Sequence, residues 1–105
     1  MRRALEAIYE NLNAHKNPQW FEALVDVFGE SKDGSERDKV CLKNVYHDGE
    51  LVTGHLWVAP PNDFAAQTGE TIVFRAYVHR YARKDGSYDY TLAGLRKVQR
   101  LGIAA

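Results

Sequence analysis

Two Asp-Gly pairs, Asp48-Gly49 and Asp85-Gly86, each stand between runs rich in β-branched and aromatic residues, and they constrain the chain more than any other feature. A residue tolerant of left-handed backbone followed by glycine is what a tight hairpin turn needs, so each pair predicts a β-hairpin. The first joins "KVCLKNVYH" to "LVTGHLWVA" and the second joins "TIVFRAYVHRYAR" to "YDYTLAGLRKVQRL". Pro60-Pro61 ends the first hairpin, because proline has no N–H to give to a ladder. The "NDFAAQTGE" that follows is too short for more than one or two helical turns.

The flanks add two further elements. Leu5, Ile8, Tyr9 and Leu12 recur at helical spacing, with Glu6, Glu10 and Asn11 between them, and predict an amphipathic helix over 3–15. Residues 18–28 permit two readings. Trp20, Phe21, Leu24 and Phe28 suit a helix started by Pro18, whereas Phe21, Ala23, Val25 and Val27 alternate as in a strand, and the Val and Phe content favours the strand. Residues 31–38, "SKDGSERD", read as a polar turn. At the other end Leu92, Leu95, Val98 and Leu101 recur every third residue, so 91–101 is open to either strand or helix, with Gly94 as a bulge in the strand reading.

A chain of 105 residues is the length of one domain. The expected organisation is a single mainly β domain over 1–105: an N-terminal helix within 1–17, then a five-stranded OB-like barrel over 20–101, whose closure limits exposed sheet edges. No apolar run approaches the ~18 residues that span a bilayer, and the start of the chain lacks the apolar stretch of a secretory signal, so a cytoplasmic protein is expected. The single cysteine, Cys41, has no partner for a disulfide and is expected to pack as a small apolar side chain.

The stretch "VCLKNVYHDGELVTGHLW", followed by "GETIVFRAYVHRY" and "YDYTL", resembles a group of small, mostly uncharacterised OB-like proteins of phages and mobile elements. The resemblance covers 20–101 and leaves out the helix. It implies a five-stranded barrel of the nucleic-acid-binding type and an intracellular setting, and it brings no catalytic residue or cofactor.

Counting outward from a two-residue turn at Asp85-Gly86 sets Arg83 opposite Tyr88, Tyr81 opposite Tyr90, His79 opposite Leu92, Tyr77 opposite Gly94 and Arg75 opposite Arg96. The other face carries Ile72, Phe74, Ala76, Val78, Ala93 and Leu95, with Arg80 and Asp89 near the turn, and that face is the core. Arg75, Tyr77, His79, Tyr81, Arg83, Tyr88, Tyr90 and Arg96 then face water, with Lys84 at the turn. Arginines neutralise phosphates and phenol rings stack bases, which together make a surface for single-stranded nucleic acid. A purely structural reading is also open: tyrosine is a good strand residue, Tyr81 with Tyr90 is a stabilising cross-strand pair, and Tyr77 lying over Gly94 shields a glycine.

The same count from Asp48-Gly49 puts Val40, Leu42, Asn44, Tyr46, Leu51, Thr53, His55 and Trp57 on one face of the first hairpin. Lys39, Cys41, Lys43, Val45, Val52, Gly54, Leu56 and Val58 take the other, so both faces are mixed. If Val45, Val52, Leu56 and Val58 are interior, His55 and Trp57 form a second stacking platform, whereas in the opposite case Trp57 is a core ring.

Charge is unevenly distributed along a chain of zero formal net charge. Residues 1–70 hold seven Lys/Arg against twelve Asp/Glu, and 71–105 hold seven against two, which suits an anionic partner at the C-terminal end, as it also suits a dipolar monomer or a head-to-tail dimer. The four histidines do not converge locally with Cys41, since His47 faces Glu50 rather than His55, so no metal site is expected. No phosphate loop, nucleophile turn or placed carboxylate pair is present, and neither an enzyme nor a cofactor is expected. The sequence points to a non-catalytic module for single-stranded DNA or RNA. The alternative is a protein-interaction module, such as a phage-borne inhibitor docking on a host or anti-phage complex, since Tyr, Trp and Arg also dominate protein interfaces. A homodimer through the apolar stripe of the helix is a further expectation, and no membrane partner is expected.

Overall fold

The computed structural model describes residues 2–29 and 39–103, and the polar turn expected at 31–38 lies outside them. The order is α1 (Arg3–Asn11), β1 (Gln19–Gly29), β2 (Lys39–His47), β3 (Glu50–Val58), β4 (Glu70–Ala82) and β5 (Tyr88–Ile103). The five strands form one antiparallel sheet in the order β3-β2-β1-β4-β5. Both ambiguous segments are strands. β1 buries Phe21, Ala23 and Val25 in strict alternation, and β5 is a 16-residue strand where a helix had been open.

The expected barrel closure is not found. No ladder joins β3 to β5, although the sheet curls far enough for Thr91 Oγ1 to donate to Trp57 O at 3.5 Å. The curl has a visible cause in β5, which gains one residue on β4 at each of three bulges. Gly94, Lys97 and Gly102, all at positive φ, lie at or beside them, and each bulge bends the strand.

The concave face holds the core. Phe21 and Phe74 are register partners with ring centroids 5.9 Å apart, and around them lie Val25, Val40, Leu42, Val45, Leu56, Ile72 and Val78. Burying each large side chain contributes about 1.5–3 kcal/mol. α1 packs against β3, β4 and β5 and buries Leu5 and Ile8 in this same core. Of the stripe expected to join two copies, Leu5 and Ile8 are thus buried within one chain, Tyr9 is partly buried and Leu12 is exposed. The helix is shorter than the expected 3–15, because Asn13 at φ 54 turns the chain and its carbonyl accepts from Lys16 and Asn17. No helix among the described residues is long and apolar enough to cross a membrane.

The first hairpin turns at Asp48-Gly49 as expected, with both residues at positive φ and His47 opposite Glu50. Its register then slips. Between Val45 and Tyr46 an extra residue, Val52, enters β3, and beyond that bulge Val45 pairs with Thr53, Leu42 with Leu56 and Val40 with Val58. The two mixed faces of the sequence reading therefore resolve into a buried apolar face and an outward one bearing His55 and Trp57.

The second hairpin also departs from its expected register. Arg83 and Ser87 close a three-residue loop, with Arg83 N donating to Ser87 O at 2.7 Å and Gly86 N to Arg83 O at 3.0 Å. Gly86 takes φ 86, the left-handed position that such a loop needs. Every pairing near the turn shifts by one: Ala82 meets Tyr88, Tyr81 meets Asp89, Arg80 meets Tyr90 and Val78 meets Leu92.

Candidate functional site

That shift redistributes the expected surface. Tyr90 is 3% exposed on the core side and leaves the site, and burial pushes its phenol pKa up. Tyr88 is 50% exposed but shares the face of Arg80, whose guanidinium lies 4.5 Å from its ring centroid and 5.5 Å from that of Tyr9. Glu6 and Glu10 on α1 place negative charge beside this cluster, as their effect on Tyr90 registers.

Asp89 moves the other way and joins the outward row, beneath the N-terminal segment. It accepts from Arg2 N at 3.3 Å, Arg2 Nη1 at 3.4 Å, Tyr81 OH at 3.3 Å and Tyr90 N at 2.8 Å, and it forms a short ion pair with Arg83. Burial raises its carboxyl pKa, but the hydrogen bonds from Arg83, Tyr90 and Arg2 outweigh that and hold it well below the usual carboxylate range. Arg83 is consequently a structural cation with a raised pKa of its own. Lys84 is exposed in the loop, and His79 is exposed opposite Thr91.

The centre of the outward face is different. Trp20, Arg75 and Arg96 are successive register partners across β1, β4 and β5. Arg75 lies 5.7 Å from the Trp20 ring centroid and donates through Nη2 to Pro18 O at 2.9 Å, while its buried Nε finds no acceptor among the described residues. Arg96 lies 4.8 Å over the Tyr77 ring. Tyr77 in turn lies flat on Gly94, where a Cβ would stand 3.1 Å from its Cδ2. The shielding of a strand glycine by Tyr77 is therefore real, and it holds the ring under Arg96.

Among the described residues, Arg2, Arg83, Lys43 and Arg100 are in ion pairs with carboxylates, and Arg75 and Arg96 are in none. Two like charges directly opposite each other destabilise an antiparallel pair. Here they stand between two aromatic rings, one of them 44% exposed. Trp20 is the member that the sequence reading missed, although its phase relative to buried Phe21 already put it outward.

The remaining expected platform is separate. Trp57 is 46% exposed, not a core ring, and it lies across Gly29, where a Cβ would approach the ring to 2.9 Å. His55 is exposed opposite Lys43. Trp57 and Tyr81 line one shallow hollow with Arg2 and Thr91, and Trp20 is not among its lining residues. No group of three or more His, Cys, Asp or Glu side chains among the described residues is placed to hold a metal ion.

Comparison of the chain with protein-family models, with curated proteins and with solved structures gives no match. Function has to be argued from the Trp20, Arg75, Arg96 and Tyr77 row itself.

Proposed function

We propose that this domain is a non-catalytic module that binds single-stranded nucleic acid on the outward face of β1, β4 and β5. The observation that carries the proposal is the row in which two guanidiniums with no carboxylate partner among the described residues lie against exposed or half-buried rings, Arg75 against Trp20 and Arg96 against Tyr77. Each arginine that meets a phosphate releases condensed counterions, and each ring that stacks a base contributes about 1–3 kcal/mol without reading its identity. The fold is consistent with this use. A β3-β2-β1-β4-β5 sheet with its outer strands drawn together is the arrangement of an OB-like barrel with one seam unzipped, and partly open barrels of that kind bind oligonucleotides.

A labelled oligothymidylate titrated at low salt is expected to bind with an affinity that falls steeply as salt rises. Absence of binding at micromolar protein would sink the proposal. A second reading, a protein partner, is favoured by a shallow hollow of about 450 Å³ beside Trp20, lined also by Tyr46, Val73 and the carboxylates of Glu22 and Asp48. Its apolar walls and acidic rim suit an apolar or cationic side chain. Capture from a bacterial lysate with and without nuclease separates the two: nuclease-resistant capture of a protein favours the second.

A further inference from the structure

A cleft of about 410 Å³ lies between β5 and the 61–66 segment that connects β3 to β4. Phe64 and Pro61 give it an apolar wall, Asp63 stands on that wall, and Arg96, Lys97 and Arg100 come from β5. Arg100 is held by Glu70 through a two-pronged ion pair, whereas Arg96 and Lys97 are in no ion pair with a carboxylate among the described residues. Arg96 belongs to the cleft and to the Trp20 row at once.

We infer that this cleft takes the continuation of the single strand bound on the Trp20 row, with Lys97 meeting a backbone phosphate there; the inference rests on the nucleic-acid reading above. Two observations give the strand its direction. Beyond Trp20 lie Glu22 and Asp48 in a hollow lined by no cation, which disfavours a polyanion, while beyond Arg96 the cleft sets Lys97 and the Glu70-paired Arg100 against the one carboxylate of Asp63. The second observation is the backbone of Lys97. Three residues of β5 have positive φ: Gly94, Gly102 and Lys97, the last at φ 52. Glycine takes that conformation freely and lysine does not, so the bulge retains a side chain at a conformational cost that its charge accounts for.

The test uses the whole chain with oligothymidylates of about four and about ten nucleotides, spanning the lower range of site sizes for one OB-type domain. Affinities are measured against salt for the unaltered protein, Lys97→Gly and Lys97→Gln. For single strands each phosphate contact adds about 0.7 to the slope of log affinity against log salt. The longer strand is expected to show the steeper slope. Both variants should lower it by about 0.7 and leave the shorter strand's slope unchanged. Lys97→Gly should at the same time melt no lower than the unaltered protein, which separates lost contact from lost folding. An unchanged slope for the longer strand in both variants overturns the inference, as do equal slopes for the two strands in the unaltered protein. If neither strand binds, the Trp20 row fails first and the cleft falls with it.

Discussion

Arg96→Glu separates folding from binding because it changes the first little and the second strongly. Arg96 stands directly opposite Arg75, and like charges in that relation cost about 0.2–1 kcal/mol, while opposite charges return a similar amount. Against this, the variant loses the contact of the guanidinium with Tyr77, worth about 0.5–1 kcal/mol at an exposed position. A gain of about 0.4–2 kcal/mol against a loss of about 0.5–1 leaves the variant between about 0.6 kcal/mol less stable and about 1.5 kcal/mol more stable, and each 1 kcal/mol moves the melting temperature of a domain near this size by about 4–8 °C. Salt at about 0.1 M and above, with a Debye length of ~10 Å, should erase most of that gain, since both groups are near the surface. Binding should weaken about tenfold or more, because a phosphate contact is replaced by a repulsion, and the salt slope should drop by about 0.7. Thermal melts at two salt concentrations and anisotropy titrations with oligothymidylate read both quantities. A variant that melts more than about 5 °C lower shows that Arg96 holds the sheet rather than a ligand. One that keeps the salt slope of the unaltered protein shows that no phosphate meets Arg96.

Three further outcomes are expected. Trp20→Ala should weaken oligonucleotide binding by about 1–3 kcal/mol and change the melting temperature little, as the ring is already 44% exposed. Gly94→Ala should destabilise by about 1–2 kcal/mol in urea melts, since alanine is strained at φ 65 and its Cβ would press on Tyr77. Asp89→Asn should cost about 1–3 kcal/mol near neutral pH by weakening the Arg2 and Arg83 contacts. Because the folded pKa of Asp89 is depressed, its contribution is full above the unfolded value near 4 and is lost as pH falls towards the folded one. Stability measured from neutral pH into acid should therefore fall less steeply in the variant.

The elements were legible in the sequence because local chemistry decides them. Asp48-Gly49 and Asp85-Gly86 turn where expected, and β1 follows its Val and Phe content. Strand faces depend on single-residue offsets, which a turn motif does not fix. Asp85-Gly86 reads as a two-residue turn, but the Asp85 carboxylate accepts from both N and Oγ of Ser87 and helps to fold a three-residue loop. That one residue sends Tyr88 and Tyr90 to the face that Arg80 already occupied and Asp89 to the other, and it removes two tyrosines from the expected site.

Even so, Arg75 lies opposite Arg96, the pairing that the two-residue turn also predicts. The bulge beside Gly94 inserts a residue into β5 and cancels the slip made at the loop. Two departures from ideal pairing thus leave the pair of arginines in register, while everything between them and the turn is displaced. The same bulge needs a residue tolerant of φ 65 and leaves the space into which Tyr77 settles beneath Arg96. The feature that curves the sheet is therefore also the feature that assembles the row. For that reason Gly94→Ala should impair binding beyond what its stability loss explains, even though Gly94 contributes no side chain to any ligand.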